Sequence, residues 1–109
     1  MENTNRFNKS VFMALPQSES HKCVISNEVH KLISKSLATE KKVKDALKQY
    51  FSCNWGEDIL SDEEDTQVNN SALTHGGRIL GVYHIDGNKY FIITNPYWQI
   101  TEVLLAEEY

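Results

Sequence analysis

Residues 78–105 read RILGVYHIDGNKYFIITNPYWQITEVLL, and this stretch decides the fold class of the chain. It contains three runs rich in β-branched and aromatic residues, a composition that favours strands: Arg78 to Ile85, Lys89 to Thr94 and Gln99 to Leu105. The Asp86-Gly87 pair is typical of a tight hairpin turn, and Asn95-Pro96-Tyr97-Trp98 predicts a second turn. The stretch therefore predicts an antiparallel meander of three strands.

Residues 26–75 precede the meander and predict helices that cover one of its faces, because bare short hairpins are marginal in water. A first helix begins at Ser26 or Asn27, both good N-caps, and a second helix follows Thr39. Their apolar residues recur at helical spacing: Val29, Leu32, Ile33 and Leu37, then Val43, Ala46, Leu47, Tyr50 and Phe51. A third helix is predicted from Asp62 to about Thr74, and Gly76-Gly77 ends it.

The N-terminal part offers two segments for one added strand. Ser10 to Leu15 is a short apolar run that Pro16 ends, which predicts a strand. Lys22 to Ile25 is shorter and would suit an edge strand, while residues 1–8 predict a flexible tail. The expected fold is α+β, in a single domain over residues 1–109. It has a C-terminal three-stranded antiparallel meander, one added N-terminal strand and about three covering helices.

The composition fits a globular protein of one domain, with 109 residues, 40% of them hydrophobic and 24% charged. There is no apolar run of 18 residues, and the polar N-terminus leads into no apolar segment. We therefore expect neither a membrane span nor a signal peptide, and a cytoplasmic protein. The charge is unevenly divided: residues 1–54 carry nine Lys/Arg and five Asp/Glu, whereas residues 55–109 carry two and ten. Such a division serves solubility or marks a charged partner surface.

The sequence predicts no catalytic, metal or cofactor site. A nucleophilic pair would need Cys53 beside His75 or His84, and none of these lies in a recognisable catalytic loop. A zinc site needs local pairs of ligands, and the chain offers only His21-Lys22-Cys23. Cys23 itself stands among apolar residues, which predicts a place in the core. The Gly76-Gly77 pair follows a predicted helix instead of opening one, so it favours a helix cap over a phosphate loop.

The segment from Glu57 to Asp65 holds six acids in nine residues. One interpretation is a helix start, because Ser61 to Glu64 fits the S-x-x-E capping box and acids suit the positive end of a helix dipole. The other interpretation is a surface that imitates the phosphates of DNA and occupies a basic groove. Tryptophans in predicted loops would anchor such a contact or close the end of the core. The candidate partner-binding residues are Trp55, Glu57, Asp58, Asp62, Glu63, Glu64, Asp65 and Trp98.

The second predicted helix carries a lysine-rich face, which suggests an alternative function in nucleic-acid binding. Its residues are Lys41, Lys42, Lys44 and Lys48. Because the solvated face of an ordinary amphipathic helix has the same composition, direct binding to nucleic acid is the less favoured hypothesis.

The C-terminal two-thirds of the chain, about residues 40–109, resembles a family of small proteins from plasmids and conjugative elements of Gram-positive bacteria. The matching segments are Asn54-Trp55-Gly56-Glu57-Asp58, Asn70-Ser71-Ala72-Leu73, Gly76-Gly77-Arg78-Ile79-Leu80 with Tyr83, Phe91-Ile92-Ile93-Thr94, Thr101-Glu102-Val103-Leu104-Leu105 and Glu107-Glu108-Tyr109. Such proteins often carry a name that assigns them to restriction–modification systems. This chain is too short for a methyltransferase and has no glycine loop for its cofactor. Asn95-Pro96-Tyr97-Trp98 departs from the charged turn of the relatives.

This genetic setting implies a protein that blocks host defence, by analogy with anti-CRISPR and anti-restriction proteins of plasmids and phages. We therefore expect a non-enzymatic inhibitor of a host nuclease, first a CRISPR effector and next a restriction nuclease, acting through the acidic segment as a partial DNA mimic. No membrane contact is expected. A homodimer is a further expectation, because an exposed third strand of the meander invites pairing across a two-fold axis.

Overall fold

A computed structural model describes residues 6–109 of the chain. The described residues form an α+β fold with five α-helices and a four-stranded sheet. The helices are α1 (Lys9–Met13), α2 (Asn27–Lys35), α3 (Leu37–Tyr50), α4 (Glu57–Leu60) and α5 (Glu63–His75), and the strands are β1 (Lys22–Ile25), β2 (Ile79–Ile85), β3 (Asn88–Thr94) and β4 (Ile100–Leu105). Short 3-10 turns occupy Leu15–Gln17, Pro96–Trp98 and Ala106–Glu108.

The C-terminal meander is confirmed. Strand β3 pairs antiparallel with β2 on one side and with β4 on the other. Asp86 and Gly87 have φ angles of 53° and 82°, so both lie in the left-handed region that a tight hairpin turn requires. The sheet order is β1-β4-β3-β2, with β1 parallel to β4, which confirms the added N-terminal strand at Lys22–Ile25.

The core lies between one face of the sheet and the helices. Alternate residues of the strands point into it, as the two-residue period of a strand requires. Phe12 from α1 stands at the centre of an aromatic cluster, with ring centroids 5.4 to 5.5 Å from those of Tyr50, Phe51, Trp55 and Trp98. These tilted and edge-on contacts are the arrangement that aromatic rings prefer, so the cluster holds α1 and α3 together.

Each long helix begins at a side-chain cap. The Ser26 hydroxyl accepts the backbone N–H of Val29 at 3.2 Å, and the Ser36 hydroxyl accepts that of Thr39. Ser36, and not a residue after Thr39, therefore starts α3. In α5 the cap is Asp62, whose carboxylate accepts the backbone N–H of Asp65 at 3.0 Å, so the prediction of a capping box from Ser61 is wrong.

The prediction of a strand over Ser10 to Leu15 is wrong, because this segment forms α1 and a 3-10 turn. Its apolar run is too short for periodicity to separate a strand from a helix. Asn8 favours the helix, because its side chain caps α1 by accepting the N–H of Val11 at 2.9 Å. The predicted tail over residues 1–8 is wrong for Phe7 and Asn8, since Phe7 packs on Trp98 at 5.0 Å between centroids; residues 1–5 lie outside the described part.

Strand β1 changes two further expectations. Because β1 pairs with β4, the third strand of the meander has no exposed edge. Cys23, which was expected in the core, is exposed on β1. An apolar neighbourhood in the sequence does not bury a residue when its strand lies at the edge of the sheet.

Candidate functional site

Gly56 directs the acidic segment along the outer side of β2. The carbonyl oxygen of Trp55 accepts the N–H of Val82 at 2.8 Å, so the two backbones run in contact at this point. A Cβ atom at position 56 would lie 1.8 Å from the carbonyl oxygen of Val82, and the φ of Gly56 is 93°. A glycine is required here for both reasons, and as the N-cap it allows α4 to begin at Glu57.

Two helix starts then gather the carboxylates. Glu57 and Asp58 lie in the first turn of α4, and Glu63, Glu64 and Asp65 lie in the first turn of α5. The Thr66 hydroxyl of α5 donates to the carbonyl oxygen of Ile59 in α4 at 2.7 Å and so connects the two helices. Backbone N–H groups without partners at both helix starts favour acidic side chains in these positions.

Two of the six predicted acids are engaged within the chain. The Asp58 carboxylate lies 3.0 Å from Nε2 of His84 and 3.7 Å from Nζ of Lys89. The hydrogen bond with His84, aided by the charge of Lys89, lowers the pKa of Asp58 below its ordinary value. The Asp62 carboxylate caps α5. These two acids therefore have structural partners.

Glu57, Glu63, Glu64 and Asp65 form what we call the acidic surface. All four residues are exposed. Within residues 6–109 none of their carboxylates takes part in an ion pair or accepts a hydrogen bond. The lysines of α3 do not neutralise them, because Lys42 pairs with Asp86 and Lys44 with Glu40. Four negative charges are thus left for solvent or a partner.

The acidic surface is not a straight row of charges. Successive residues of an α-helix are about 100° apart around its axis, so Glu63, Glu64 and Asp65 fan out over about 200°. Two exposed apolar side chains that sequence reasoning did not identify as surface lie on the same helices: Leu60 is 48% exposed and Val68 is 57% exposed.

The prediction of Trp55 and Trp98 as surface anchors is wrong. Trp55 is 2% exposed and Trp98 is 4% exposed, and both pack on Phe12 in the core. The indole N–H of Trp98 donates to the carbonyl oxygen of Gly77 at 2.9 Å, so even its polar atom is satisfied internally. Both side chains close the end of the core, which was the other interpretation of the loop tryptophans.

The lysine-rich face divides into two parts. Lys41, Lys44 and Lys48 follow a spacing of i, i+3 and i+7, which places them on one stripe of α3. Lys42 lies on another side of the helix, where its Nζ atom is 2.6 Å from the Asp86 carboxylate. The four lysines therefore do not share one face, and Lys42 has a structural partner.

The candidate nucleophile Cys53 has no histidine partner among the described residues. The ring of His84 contacts Asp58, and Nδ1 of His75 lies 2.8 Å from the carbonyl oxygen of Ser71 in its own helix. Burial raises the pKa of the Cys53 thiol, which disfavours the reactive thiolate. Residues 6–109 contain no group of three or more His, Cys, Asp or Glu side chains arranged to hold a metal ion.

Within residues 6–109 no helix has the length and apolar character needed to cross a membrane. No protein-family model matches the sequence. No curated protein and no solved structure is similar to the chain either.

Proposed function

We propose that this chain is a non-enzymatic binding protein whose acidic surface enters a basic groove of a protein partner. The observation that carries the proposal is that Glu57, Glu63, Glu64 and Asp65 are exposed and unpaired within residues 6–109. The starts of α4 and α5 favour acids at these positions, but they do not require all four carboxylates to lie away from the chain's own lysines. Four like charges held together gain most from an external cation.

Exposed apolar side chains beside the charges suit a protein partner better than a small cation. Leu60 and Val68 would supply the apolar contact that the centre of a protein interface needs, while the carboxylates form its charged rim. Charges at such a rim speed association and make it dependent on salt. Binding should therefore weaken as the ionic strength rises.

The partner in this proposal is a host defence nuclease, first an RNA-guided CRISPR effector and next a restriction nuclease, so the chain would act in the cytoplasm. Grooves that bind DNA are basic, because duplex DNA carries about one charge per 1.7 Å of axis. The acidic surface would meet such a groove through its local density of negative charge, because its carboxylates do not form a regular row like the phosphates. The resemblance of residues 40–109 to small proteins of mobile elements supports the choice of a nuclease.

A second candidate function uses the stripe of Lys41, Lys44 and Lys48, which would contact nucleic acid directly. The observation that favours it is their shared exposed stripe on α3. Fluorescence anisotropy with labelled single-stranded and duplex DNA at low salt separates the two functions. Saturable binding that K41E/K44E/K48E abolishes would favour this second function.

The test of the first function measures DNA cleavage by RNA-guided and restriction nucleases in the presence of the chain. The diagnostic variant is E57Q/E63Q/E64Q, which leaves the helix cap Asp62 in place. Its matched control, E19Q/D45N/E107Q, removes the same number of exposed acids that form no ion pair in the described structure. We expect the wild type and the control to inhibit one of the nucleases, and the diagnostic variant to inhibit it at least about tenfold less.

Two outcomes would contradict the proposal. One is cleavage that the wild-type chain leaves unchanged with every nuclease. The other is inhibition that both triple variants retain equally and that does not fall with added salt, because charge would then have no part in the contact.

A further inference from the structure

The two outer edges of the sheet, those of β2 and β1, differ in whether their backbone groups have hydrogen-bond partners. Along the outer edge of β2, the Asn69 side chain accepts the N–H of Leu80 at 3.1 Å and donates to its carbonyl oxygen at 2.7 Å. The next N–H on this edge, that of Val82, donates to Trp55. Side-chain and loop groups thus occupy the edge of β2 at Leu80 and Val82, which disfavours the pairing of a further strand there.

The outer edge of β1 is open. The N–H of Lys22 donates to Gln99 at 3.0 Å and that of Ser26 donates to Val103 at 2.9 Å, so these residues point towards β4. In a parallel ladder alternate residues point the other way, which turns the backbone of Cys23 and Ile25 outwards. In residues 6–109 the N–H groups of Cys23 and Ile25 have no hydrogen-bond partner.

We propose that β1 is a dimer interface, where the β1 strand of a second copy pairs antiparallel across a two-fold axis at Val24. In this register Cys23 lies opposite Ile25 of the second copy, and the reverse pair is equivalent. Each pair exchanges two backbone hydrogen bonds, and the two four-stranded sheets become one sheet of eight strands.

The side chains of β1 fit this register. Val24 is 42% exposed, and the two copies of it would meet directly at the axis, as an apolar cross-strand pair. Lys22 lies opposite Ser26 of the second copy, and Ser26 donates its hydroxyl hydrogen to the Glu108 carboxylate at 2.7 Å. Lys22 is exposed and has no ion pair within the described residues.

The charges therefore favour a second copy over an unrelated strand. Lys22 of each copy comes beside the Ser26–Glu108 pair of the other, which gives two symmetric contacts between an ammonium group and a carboxylate. A two-fold pairing uses the β1 edge of both copies, and the β2 edge is occupied at Leu80 and Val82, so the assembly closes at two copies.

The first experiment measures the molar mass of the full chain by light scattering and sedimentation over a series of concentrations. We expect the wild type to reach twice the monomer mass. V24E places two carboxylates face to face at the axis and should weaken the dimer by at least about tenfold. The control L37E adds the same charge at a side chain that is 84% exposed and lies outside β1, at the first residue of α3, and it should remain dimeric.

The second experiment leaves the sequence of β1 unchanged, so its result does not depend on whether V24E folds. In the proposed register the two Cys23 residues lie on a diagonal, with Cα atoms about 7–8 Å apart. This is longer than the usual span of a disulfide, and a short bis-maleimide should link them. The background variant C53S leaves Cys23 as the single cysteine.

A monomer at every concentration would overturn the dimer, and so would a C53S chain that no short cross-linker joins. A dimer that V24E leaves as strong as the wild type would overturn the β1 interface. None of these results bears on the acidic surface, which lies on α4 and α5.

Discussion

The hydroxyl oxygens of Thr94 and Thr101 lie 2.6 Å apart on the core face of the sheet, where neither side chain is exposed. The Thr94 hydroxyl is also 2.6 Å from that of Tyr50 in α3, and the Thr101 hydroxyl is 2.9 Å from Nε2 of His21. This series of contacts crosses the core from α3 to the residue before β1. Because a buried polar group without a partner is costly, the series fixes where α3 sits on the sheet.

Removing the Tyr50 hydroxyl should destabilise the fold. In the wild type the Tyr50 hydroxyl donates to the Ile79 carbonyl oxygen at 2.9 Å. The Y50F variant removes this donor. We expect the free energy of unfolding in urea to fall by about 1–3 kcal/mol. The matched control Y97F removes a hydroxyl from a residue that is 71% exposed, and it should change stability by less than about 0.5 kcal/mol. Equal effects of the two variants would show that the buried contacts do not stabilise the fold.

Gly56 should tolerate no side chain. G56A places a methyl group against the Val82 carbonyl at a backbone angle that alanine rarely adopts, so we expect a loss of more than about 3 kcal/mol or a failure to fold. The control G87A shares the positive φ, but its new methyl group meets nothing within 4 Å. Its cost should be about 1–2 kcal/mol, the cost of the left-handed backbone alone. Thermal unfolding followed by circular dichroism compares the two, and similar losses would contradict the steric explanation.

Asp62 and Ser61 distinguish the observed helix cap from the one expected from sequence. D62A removes the acceptor of the Asp65 N–H and should cost about 1 kcal/mol. S61A should change the urea midpoint little, because the Ser61 hydroxyl makes only a long 3.5 Å contact with the Asp58 carbonyl. A larger loss of stability in S61A than in D62A would show that Ser61, and not Asp62, caps α5.

The Asp86 carboxylate should make stability depend on pH. Hydrogen bonds from Lys42 at 2.6 Å and Thr39 at 2.7 Å lower its pKa below the ordinary value. The ionised group therefore stabilises the fold at neutral pH, and this contribution is lost as the pH falls through the lowered pKa. D86N keeps a residue that accepts the φ of 53°, while it removes the charge. Its urea midpoint should lie below that of the wild type at neutral pH, and the difference should close in acid; a difference that is constant with pH would contradict this.

Much of the fold follows from signals that act over a few residues. The Asp86-Gly87 turn predicted the β2–β3 hairpin, because only left-handed backbone angles allow so tight a connection. The apolar spacing predicted α3, and Gly76, with its φ of 71°, predicted the end of α5. Ser10 to Leu15 shows the limit of such signals, since its short apolar run fits a strand and a helix equally well.

The amino-acid sequence by itself determined the meander, the presence of the three longer helices and the concentration of acids between Glu57 and Asp65. Only the tertiary structure decided that Trp55 and Trp98 are core residues, and that Asp58 has partners whereas Glu63 forms no ion pair within residues 6–109. The reason is one of range. Caps and turns depend on neighbours within about four residues, whereas burial and charge pairing depend on groups such as His84 and Lys89 that only folding brings to Asp58.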